Sequence, residues 1–505
     1  MQFLKLPIAS RVCTWEKVAN KLVIHFFEKK PMKLSRRTLI KSTSAALGLA
    51  GLPAAVTWAQ TQSKAVHLTS GFVEQQLLPG GPKVNFWGFN GSIPGPVMRY
   101  HKGDHASIMV SNGLSVDTAV HWHGIRVPNA MDGVPQVTQH PIKPGGNMLY
   151  EYRVPDSGTY WYHPHQSSFE QVPRGLYGAF IVEEDKPIEV DRDEVWMLSD
   201  VKISANGQQV EDFGRILDLA NEGRVGNQVL LNGQAVGAGQ KLSVRSGERL
   251  RLRLVNAASA RIFRIKLAEH AVTVVAFDGQ AVEPHLTDQI NLGPGMRIDL
   301  IVDCMQKAGS TFSVTDIGHR GAGEIAQLVY SNEKPLRDKP IAAPIRVAAN
   351  QIAQPNLQRA QEHFIIFQGG MRGAPVIGNV DGQPTRTQEM MEKYGLAWTM
   401  NYTAQHEHAL MHEPLFSVRK GEHILLHMIN STDFTHPMHL HGHFFKVLAV
   451  NGQPTRFQEW RDTVLMNPRE SIDVAFVADN PGEWMFHCHI LDHAAGGMMG
   501  TIAVE

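Results

Sequence analysis

Eight histidines of this chain stand in four His-x-His pairs: His121/His123, His163/His165, His439/His441 and His487/His489. Alternate residues of a β-strand point to one side, so each pair offers two imidazoles to a common partner. Imidazole binds zinc, copper, iron and nickel, so the chemistry these pairs could do is metal chemistry. One pair alone is weak, because a solvated strand face carries it as easily. Four pairs at matched places in two repeats are harder to dismiss. His406/His408 and His441/His443 share the spacing but have no counterpart in the first repeat.

The strands that must hold these pairs are marked by an internal repeat. A Gly followed by Asp or Glu, an apolar stretch and an Asn nine residues after the Gly occurs three times. The copies are Gly103-Asp104 to Asn112, Gly247-Glu248 to Asn256 and Gly421-Glu422 to Asn430. Nine residues beyond the Asn come His121 in the first copy and His439 in the third, and two further on His123 and His441. The second copy has Ile265 and Leu267 there. Five residues after a Gly, Gly158 leads to His163-Pro164-His165 and Gly482 to His487-Cys488-His489, whereas Gly309 leads to Val314-Thr315-Asp316. The first and third units each bring four imidazoles, which implies one shared site at their interface. The middle unit is then a spacer that also walls the approach.

The third unit carries donors that the first lacks. Cys488 replaces Pro164, His493 replaces Phe169, Met498 aligns with Leu176, and His436 stands where the first unit has Thr118. One thiolate, two imidazoles and a weak thioether form the ligand set of a blue copper centre. Zinc accepts His and Cys as well, but a redox-inert ion has no use for a Cys joined covalently to a second histidine cluster. A buried structural thiol and a core methionine are the plain alternatives for Cys488 and Met498.

Composition narrows the remaining classes. The 505 residues hold 48 Lys+Arg and 48 Asp+Glu, a zero formal charge that argues against a nucleic-acid binder. A hydrophobic share of 43% fits a globular chain and gives no permanent membrane span. Three scattered cysteines exclude a disulfide scaffold, and Cys304 reads as a buried apolar thiol. Gly (45) and Pro (28) punctuate short β-rich runs, so the chain reads as all-β. The alternation of Leu250-Arg251-Leu252-Arg253-Leu254 predicts one apolar face turned inward and a charged face turned out. The spacing of the repeats fits three β-sandwich domains over 60–188, 189–350 and 351–505, with a linker inside the Pro/Ala/Asn/Gln-rich stretch 335–358.

Residues 1–59 read as a leader rather than as part of the fold. Ser35-Arg36-Arg37-Thr38-Leu39-Ile40-Lys41 is a twin-arginine pattern, followed by a short apolar, small-residue run over 45–56. That order predicts export by the twin-arginine machinery, to the periplasm or otherwise outside. Met32 just before it reads as the start, with 1–31 an upstream stretch that is not normally translated.

The motifs His-Trp-His-Gly (121–124), His-Pro-His (163–165), His-Pro-Met-His-Leu-His-Gly (436–442) and His-Cys-His-Ile-Leu-Asp-His (487–493) resemble those of the three-domain multicopper oxidases, the laccase and bacterial cuprous-oxidase group. The resemblance covers about residue 64 to 505. It implies cupredoxin-like Greek-key sandwiches and four copper ions. His436, Cys488, His493 and axial Met498 would hold the type 1 copper. His121 and His439 would hold the type 2 ion, and His123, His163, His165, His441, His487 and His489 the type 3 pair. The implied reaction takes one electron at a time from a reducing donor, at a type 1 edge near the surface through His436 or His493. It passes them through Cys488 and reduces O2 to two waters. Asp132, just after the first motif, looks like the family's acidic residue near the type 2 ion, with a plain turn as its alternative. Ala494 and Ala495 stand where some bacterial members carry a Glu for a second proton route.

Donors compatible with a coordinating Met498 are Cu(I), Fe(II), phenols and aromatic amines. The stretch from Met371 to His412 holds Met371, Met390, Met391, Met400, Met411, His406, His408 and His412. It reads either as a soft-metal docking site, which would suit copper tolerance, or as core packing with exposed imidazoles. Proteins of this fold that have lost their ligands and serve as structural proteins, or that only sequester copper, are the second class to weigh. The intact donor set argues against the first of these.

Overall fold

The structure is a computed structural model and describes residues 64–406 and 413–505. The leader and its twin-arginine pattern therefore lie outside the described residues, as do His408, Met411 and His412.

Six sheets form three pairs. The first pair joins the order Lys83–Phe89, Lys64–Gln76, His105–Asn112, Asn147–Arg153 to the order Gly95–His101, Gly178–Glu183, Gly158–His163, His121–His123. The second pair has seven and five strands, and so has the third. A short two-stranded ribbon, Ile377–Val380 with Gln383–Arg386, stands beside them. Each pair of sheets encloses its own apolar core, around Ile108, Trp122 and Tyr162, around Leu252, Ile265 and Leu300, and around Leu426, Trp484 and Phe486. Full burial of each such side chain contributes roughly 1.5–3 kcal/mol, which is what holds two half-apolar sheets face to face.

The sequence repeat is also a structural repeat. The strand that ends in the repeat Asn lies parallel to the first strand of its unit in all three cases, Lys64–Gln76, Arg192–Val201 and Gln361–Gly369. On its other flank it pairs antiparallel with Asn147–Arg153, Arg297–Cys304 and Ser471–Val477. The repeat glycines all sit at left-handed φ, 86°, 85° and 86° for Gly103, Gly247 and Gly421, a turn conformation that a Cβ would strain.

The three asparagines make one and the same set of bonds. Asn112 Nδ2–H donates to the carbonyls of Val116 and Ile142, and its Oδ1 accepts Leu114 N–H. Asn256 does this with Arg261, Leu292 and Ala258. Asn430 does it with Phe434, Asn467 and Thr432. Each Asn ties a strand end to the crossover that leads to the next strand, the histidine strand in the first and third units, which is why its spacing to that element is held constant.

The alternation at Leu250–Leu254 has a different outcome from the one its period suggests. Both faces of Glu248–Asn256 are buried, and Arg249, Arg251 and Arg253 are at most 2% exposed. The charged face packs against carboxylates instead of water. Arg251 bonds Glu184 (2.7 Å) and Asp299 (2.7 Å), Arg253 bonds Asp193 (2.7 Å), and Arg249 bonds Asp303 (2.6 Å). Because each ion is paired and hydrogen-bonded, its burial is tolerated. The linker 335–358 has no strand, yet it is fastened. Val347 packs with Ile188, Val275 and Ile301, and Asn350 bonds both Ser157 and Gln280. Among the described residues no helix is long and apolar enough to cross a membrane.

Candidate metal centres

Strand register brings the histidine pairs together. His121 lies opposite His163 across an antiparallel pair of strands in the first sandwich. In the third, His439 lies opposite His487 and Met438 opposite Cys488. The two sandwiches meet at these strands. His121 stacks on His441 at 3.9 Å between ring centroids, and His123 on His439 at 3.8 Å. Ring nitrogens of His165, His441 and His487 lie within 4.8 Å of one another, as do those of His121, His439 and His441, and of His121, His123 and His163. His489 completes the cluster, its ring centroid 4.9 Å from His123 and 5.3 Å from His163. All eight rings are buried.

Six of the eight imidazoles are oriented by an outer partner. His121 Nδ1–H donates to the Asp132 carbonyl (2.8 Å), His163 Nδ1–H to the Pro164 carbonyl (3.0 Å), His439 Nδ1–H to the Asp462 carbonyl (3.0 Å) and His487 Nδ1–H to the Cys488 carbonyl (2.9 Å). His441 Nδ1–H donates to the Asp132 carboxylate at 2.8 Å. His123 differs, since its Nε2 faces the Asp462 carboxylate at 3.3 Å. These bonds set the tautomer, so that the other nitrogen presents a lone pair to the interior.

Several of these buried nitrogens have no hydrogen-bond partner: His121, His163 and His439 Nε2, His123 and His165 Nδ1, and both nitrogens of His489. Each such buried, unsatisfied group costs about 1–3 kcal/mol. Burial, reinforced by the neighbouring imidazoles, also depresses their basicity, taking His487 down to about 3 and His123, His163, His165, His441 and His489 well below the ordinary value. A cluster of neutral imidazoles with converging, unshared lone pairs fits transition-metal ions and fits nothing made of protein. Copper suits this nitrogen-rich set.

A second centre lies on the far side of Cys488. Its Sγ is 3.6 Å from Nδ1 of His436 and 3.6 Å from Nδ1 of His493, and these two nitrogens are 3.0 Å apart. Met498 is fully buried beside them. Its N–H donates to the His493 carbonyl and its carbonyl accepts Cys488 N–H. The short helix Leu491–Ala495 carries His493 back onto the strand that ends at Cys488. Burial pushes the Cys488 thiol up and lowers His493 to about 3. A thiolate is therefore stable here only against a cation that displaces its proton, which a thiophilic metal does. Thiolate, two imidazoles and a nearby thioether fit copper.

The edge of this centre lies at a cleft through His493 and not on open surface. His436 and His493 are both fully buried. Thr432 Oγ1 lies 2.8 Å from His436 Nε2, and His493 Nε2–H donates to the Asn221 carbonyl at 2.5 Å. The segment around Asn221 comes from the middle sandwich and is fixed by Trp398 Nε1–H to Leu219 O (2.6 Å), Met371 N–H to Ala220 O (2.8 Å) and Arg224 N–H to Asp492 Oδ2 (2.8 Å). The middle unit does wall the approach. Beside this segment a cleft of about 230 Å³ reaches His493, with Ala260, Phe434 and Ile490 on its apolar side.

Among the described residues of the Met/His stretch, three of the four methionines are packing. Met390 and Met400 are buried in apolar clusters and Met391 packs against the third core, while Met371 is exposed and accepts Asn221 Nδ2–H at 3.6 Å. Asp433, just before His436, is paired with Arg469 at 2.7 Å. His443 turns away from the cluster, to Asn480 N–H, and Cys304 is a free buried thiol.

Sequence reading missed Asp462, Arg297, Thr463 and Asn221. Asp462 stands with His123 and His439 as a further group of converging donors. No fixed spacing to a histidine motif marks it, because it reaches the cluster through pairing of Thr463–Met466 with His436–Leu440.

Comparison with known proteins agrees with this geometry. Residues 73–187, 194–332 and 379–505 match three family models, each described as multicopper oxidase. Multicopper oxidase MmcO of Mycobacterium tuberculosis is 30% identical over 493 residues, covering 90% of this chain and 91% of that one. Copper resistance protein A of Pseudomonas syringae pv. tomato is 27% identical, covering 94% and 99%. Among solved structures, a multi-copper oxidase from Pseudomonas thermotolerans has a TM-score of 0.75 at 32% identity, covering 88% of this chain and 99% of that one. The all-β layout of three cupredoxin-like sandwiches is shared with these proteins. This chain belongs to the multicopper oxidases, copper-dependent oxidoreductases that hold four copper ions and couple oxidation of a reducing donor to reduction of O2 to water.

Proposed function

We propose that His436, Cys488, His493 and Met498 hold the type 1 copper, that His121 and His439 hold the type 2 ion, and that His123, His163, His165, His441, His487 and His489 hold the type 3 pair. Domain limits at 60–188, 189–350 and 351–505 belong to the same reading, supported by the three sheet pairs. The observation that carries the assignment is the link between the two centres. Cys488 is flanked by His487 and His489, and its carbonyl accepts the His487 Nδ1–H at 2.9 Å.

Copper, when bound, supplies the one-electron transfers and the four-electron reduction of O2. The chain's own residues supply position and protons. The main-chain carbonyls hold the imidazoles in one tautomer, and their burial excludes bulk water. Asp132, buried and bonded to His441, touches both His121 and His441, and this supports a role in delivering protons to the cluster. The short distances to both rings support this role over that of a plain turn residue.

The donor enters at the cleft against His493, and phenols and aromatic amines match its apolar side. Cu(I) is the second reading, favoured by relatives named copper resistance protein A, and it would make copper tolerance the role. The intact, converging donor set argues against a copper-free structural protein. The twin-arginine pattern at Arg36-Arg37 supports export to the periplasm. Oxygen uptake by the copper-loaded protein, with Cu(I) and a simple phenol side by side, tests the donor. Faster uptake with the phenol supports the organic-donor reading, and faster uptake with Cu(I) the detoxifying one. No uptake with either would refute the oxidase.

A further inference from the structure

The charge around the cleft at His493 is not balanced. Four guanidiniums line it, those of Arg261, Arg264, Arg320 and Arg372, against two carboxylates, Glu222 and Asp433. Arg261 is neutralised inside the protein by Asp200 at 3.0 Å. Asp433 is taken by Arg469 at 2.7 Å. Glu222 is shared between two arginines, 2.7 Å from Arg320 and 3.3 Å from Arg372. Asp316, behind the same loop, accepts the main-chain N–H groups of Arg264, Gly318 and Ala322. Among the described residues the exposed Arg264 guanidinium has no ion pair. The mouth of the cleft is therefore left positive by Arg264 and by one of the pair Arg320/Arg372.

The shape of the remaining wall complements that charge. Phe434, Ile490 and Ala260 form an apolar side that leads to His493, and Arg372 lies over the Phe434 ring at 4.4 Å. An aromatic ring fits the apolar side, and a planar anion fits the guanidinium forks at the mouth. Among the described residues no thioether or thiol lines the cleft, so a soft cation would meet the imidazoles of His319 and His493 and two carboxylates already paired with arginines. His493 Nε2–H is already given to Asn221, so a donor is held by its ring and its anionic end and not by a bond to the imidazole.

We propose that this cleft selects phenols that carry a carboxylate remote from the hydroxyl, with Arg264, Arg320 and Arg372 as the anion-binding residues. This rests on the reading that donors are oxidised at the His493 edge. Each phenol loses one electron and its phenolic proton, the proton leaving to solvent at the open mouth, and becomes a phenoxyl radical. The carboxylate is unchanged and serves as a handle. Four donors supply the four electrons taken by one O2, and four protons complete two waters.

The test compares 4-hydroxy-3-methoxycinnamate with its methyl ester, on the copper-loaded enzyme by oxygen uptake and on the copper-free protein by equilibrium binding. The acid should exceed the ester in kcat/KM by about fivefold, and the ratio should fall toward one in high salt. Arg264→Gln combined with Arg320→Gln should also bring the ratio toward one, and Glu222→Gln should raise it. The copper-free protein should bind the acid more tightly than the ester, with the same dependence on these residues. Equal turnover of acid and ester, or a ratio that the arginine substitutions leave intact, overturns the charge selection while leaving the oxidase reading standing. Uptake with neither donor, together with selective binding of the acid by the copper-free protein, would keep the anion site and refute oxidation at it. Equal binding of both would overturn the site.

Discussion

Arg297 of the middle sandwich closes a bidentate ion pair with Asp462 of the third, at 2.7 and 2.5 Å, and neither side chain is more than 1% exposed. The other guanidinium N–H groups donate to the carbonyls of Thr159, Gly295 and Asp278, so the fork is fully used. Burial works to raise the Asp462 carboxyl, but the Arg297 charge and hydrogen bonds, with His439, hold it well below the usual carboxylate range. Asp462 then faces His123 from the first sandwich and His439 from the third. Among the described residues the middle unit adds no imidazole to the cluster, yet it anchors two of the rings there. Space for this is made at Gly124, where a Cβ would lie 2.2 Å from an Arg297 nitrogen and 2.6 Å from Asp462.

Removing one partner would leave the other buried and unpaired, which costs about 3–5 kcal/mol. Arg297→Gln should therefore lower the denaturation midpoint and reduce copper retention at the histidine cluster, while the blue type 1 band persists. Denaturant unfolding, copper content and the type 2 electron paramagnetic resonance signal measure these. If that signal is unchanged in the variant, the pair is structural only.

Cys488→Ser should abolish the blue absorption and oxygen consumption while the far-ultraviolet circular dichroism of the β-sandwiches stays native. On the proposed assignment the thiolate is both the strongest type 1 donor and the covalent link to His487 and His489. A variant that is still blue and active would show the assignment to be wrong.

For Asp132→Asn the expected loss is kinetic. Reduction of the blue band by an organic donor under argon should keep its rate, and oxygen consumption should fall by about a hundredfold, the range of positioned acid–base groups. The Asn side chain can still accept a bond from His441, so copper content should hold. Stopped-flow reduction beside oxygen uptake separates the two steps, and equal slowing of both would count against a proton role.

Met498→Leu should leave a blue, active protein with a higher type 1 potential, because a weak axial thioether is replaced by an inert side chain. Redox titration of the blue band reads this directly. A fall in potential would exclude Met498 as the axial donor.

Asn256→Ala tests the repeat away from copper. It would orphan the buried carbonyls of Arg261 and Leu292 and the N–H of Ala258, at a cost of about 2 kcal/mol or more. Equilibrium unfolding should show the loss with copper content unaltered. A change within error would mean that these groups find other partners.

Much of the site was legible in the chain because its signals are local. The Gly-to-Asn spacing is a turn plus one strand, and the bonds made by Asn112, Asn256 and Asn430 repeat that local geometry three times. His-x-His follows from the two-residue period of a strand, and the comparison of units one and three separated Cys488, His493 and Met498 from ordinary core residues. Other features depend on neighbours far away in sequence. The arginines of Glu248–Asn256 alternate as a solvated face would, yet they are buried because Glu184, Asp193 and Asp299 meet them there. Asp462 gains its role from an arginine 165 residues away. His493 is shielded by a carbonyl 272 residues away. Periodicity records which way a side chain points along its own strand. It carries no record of which charge or carbonyl another sandwich brings to it, and at this interface those partners decide burial, tautomer and access.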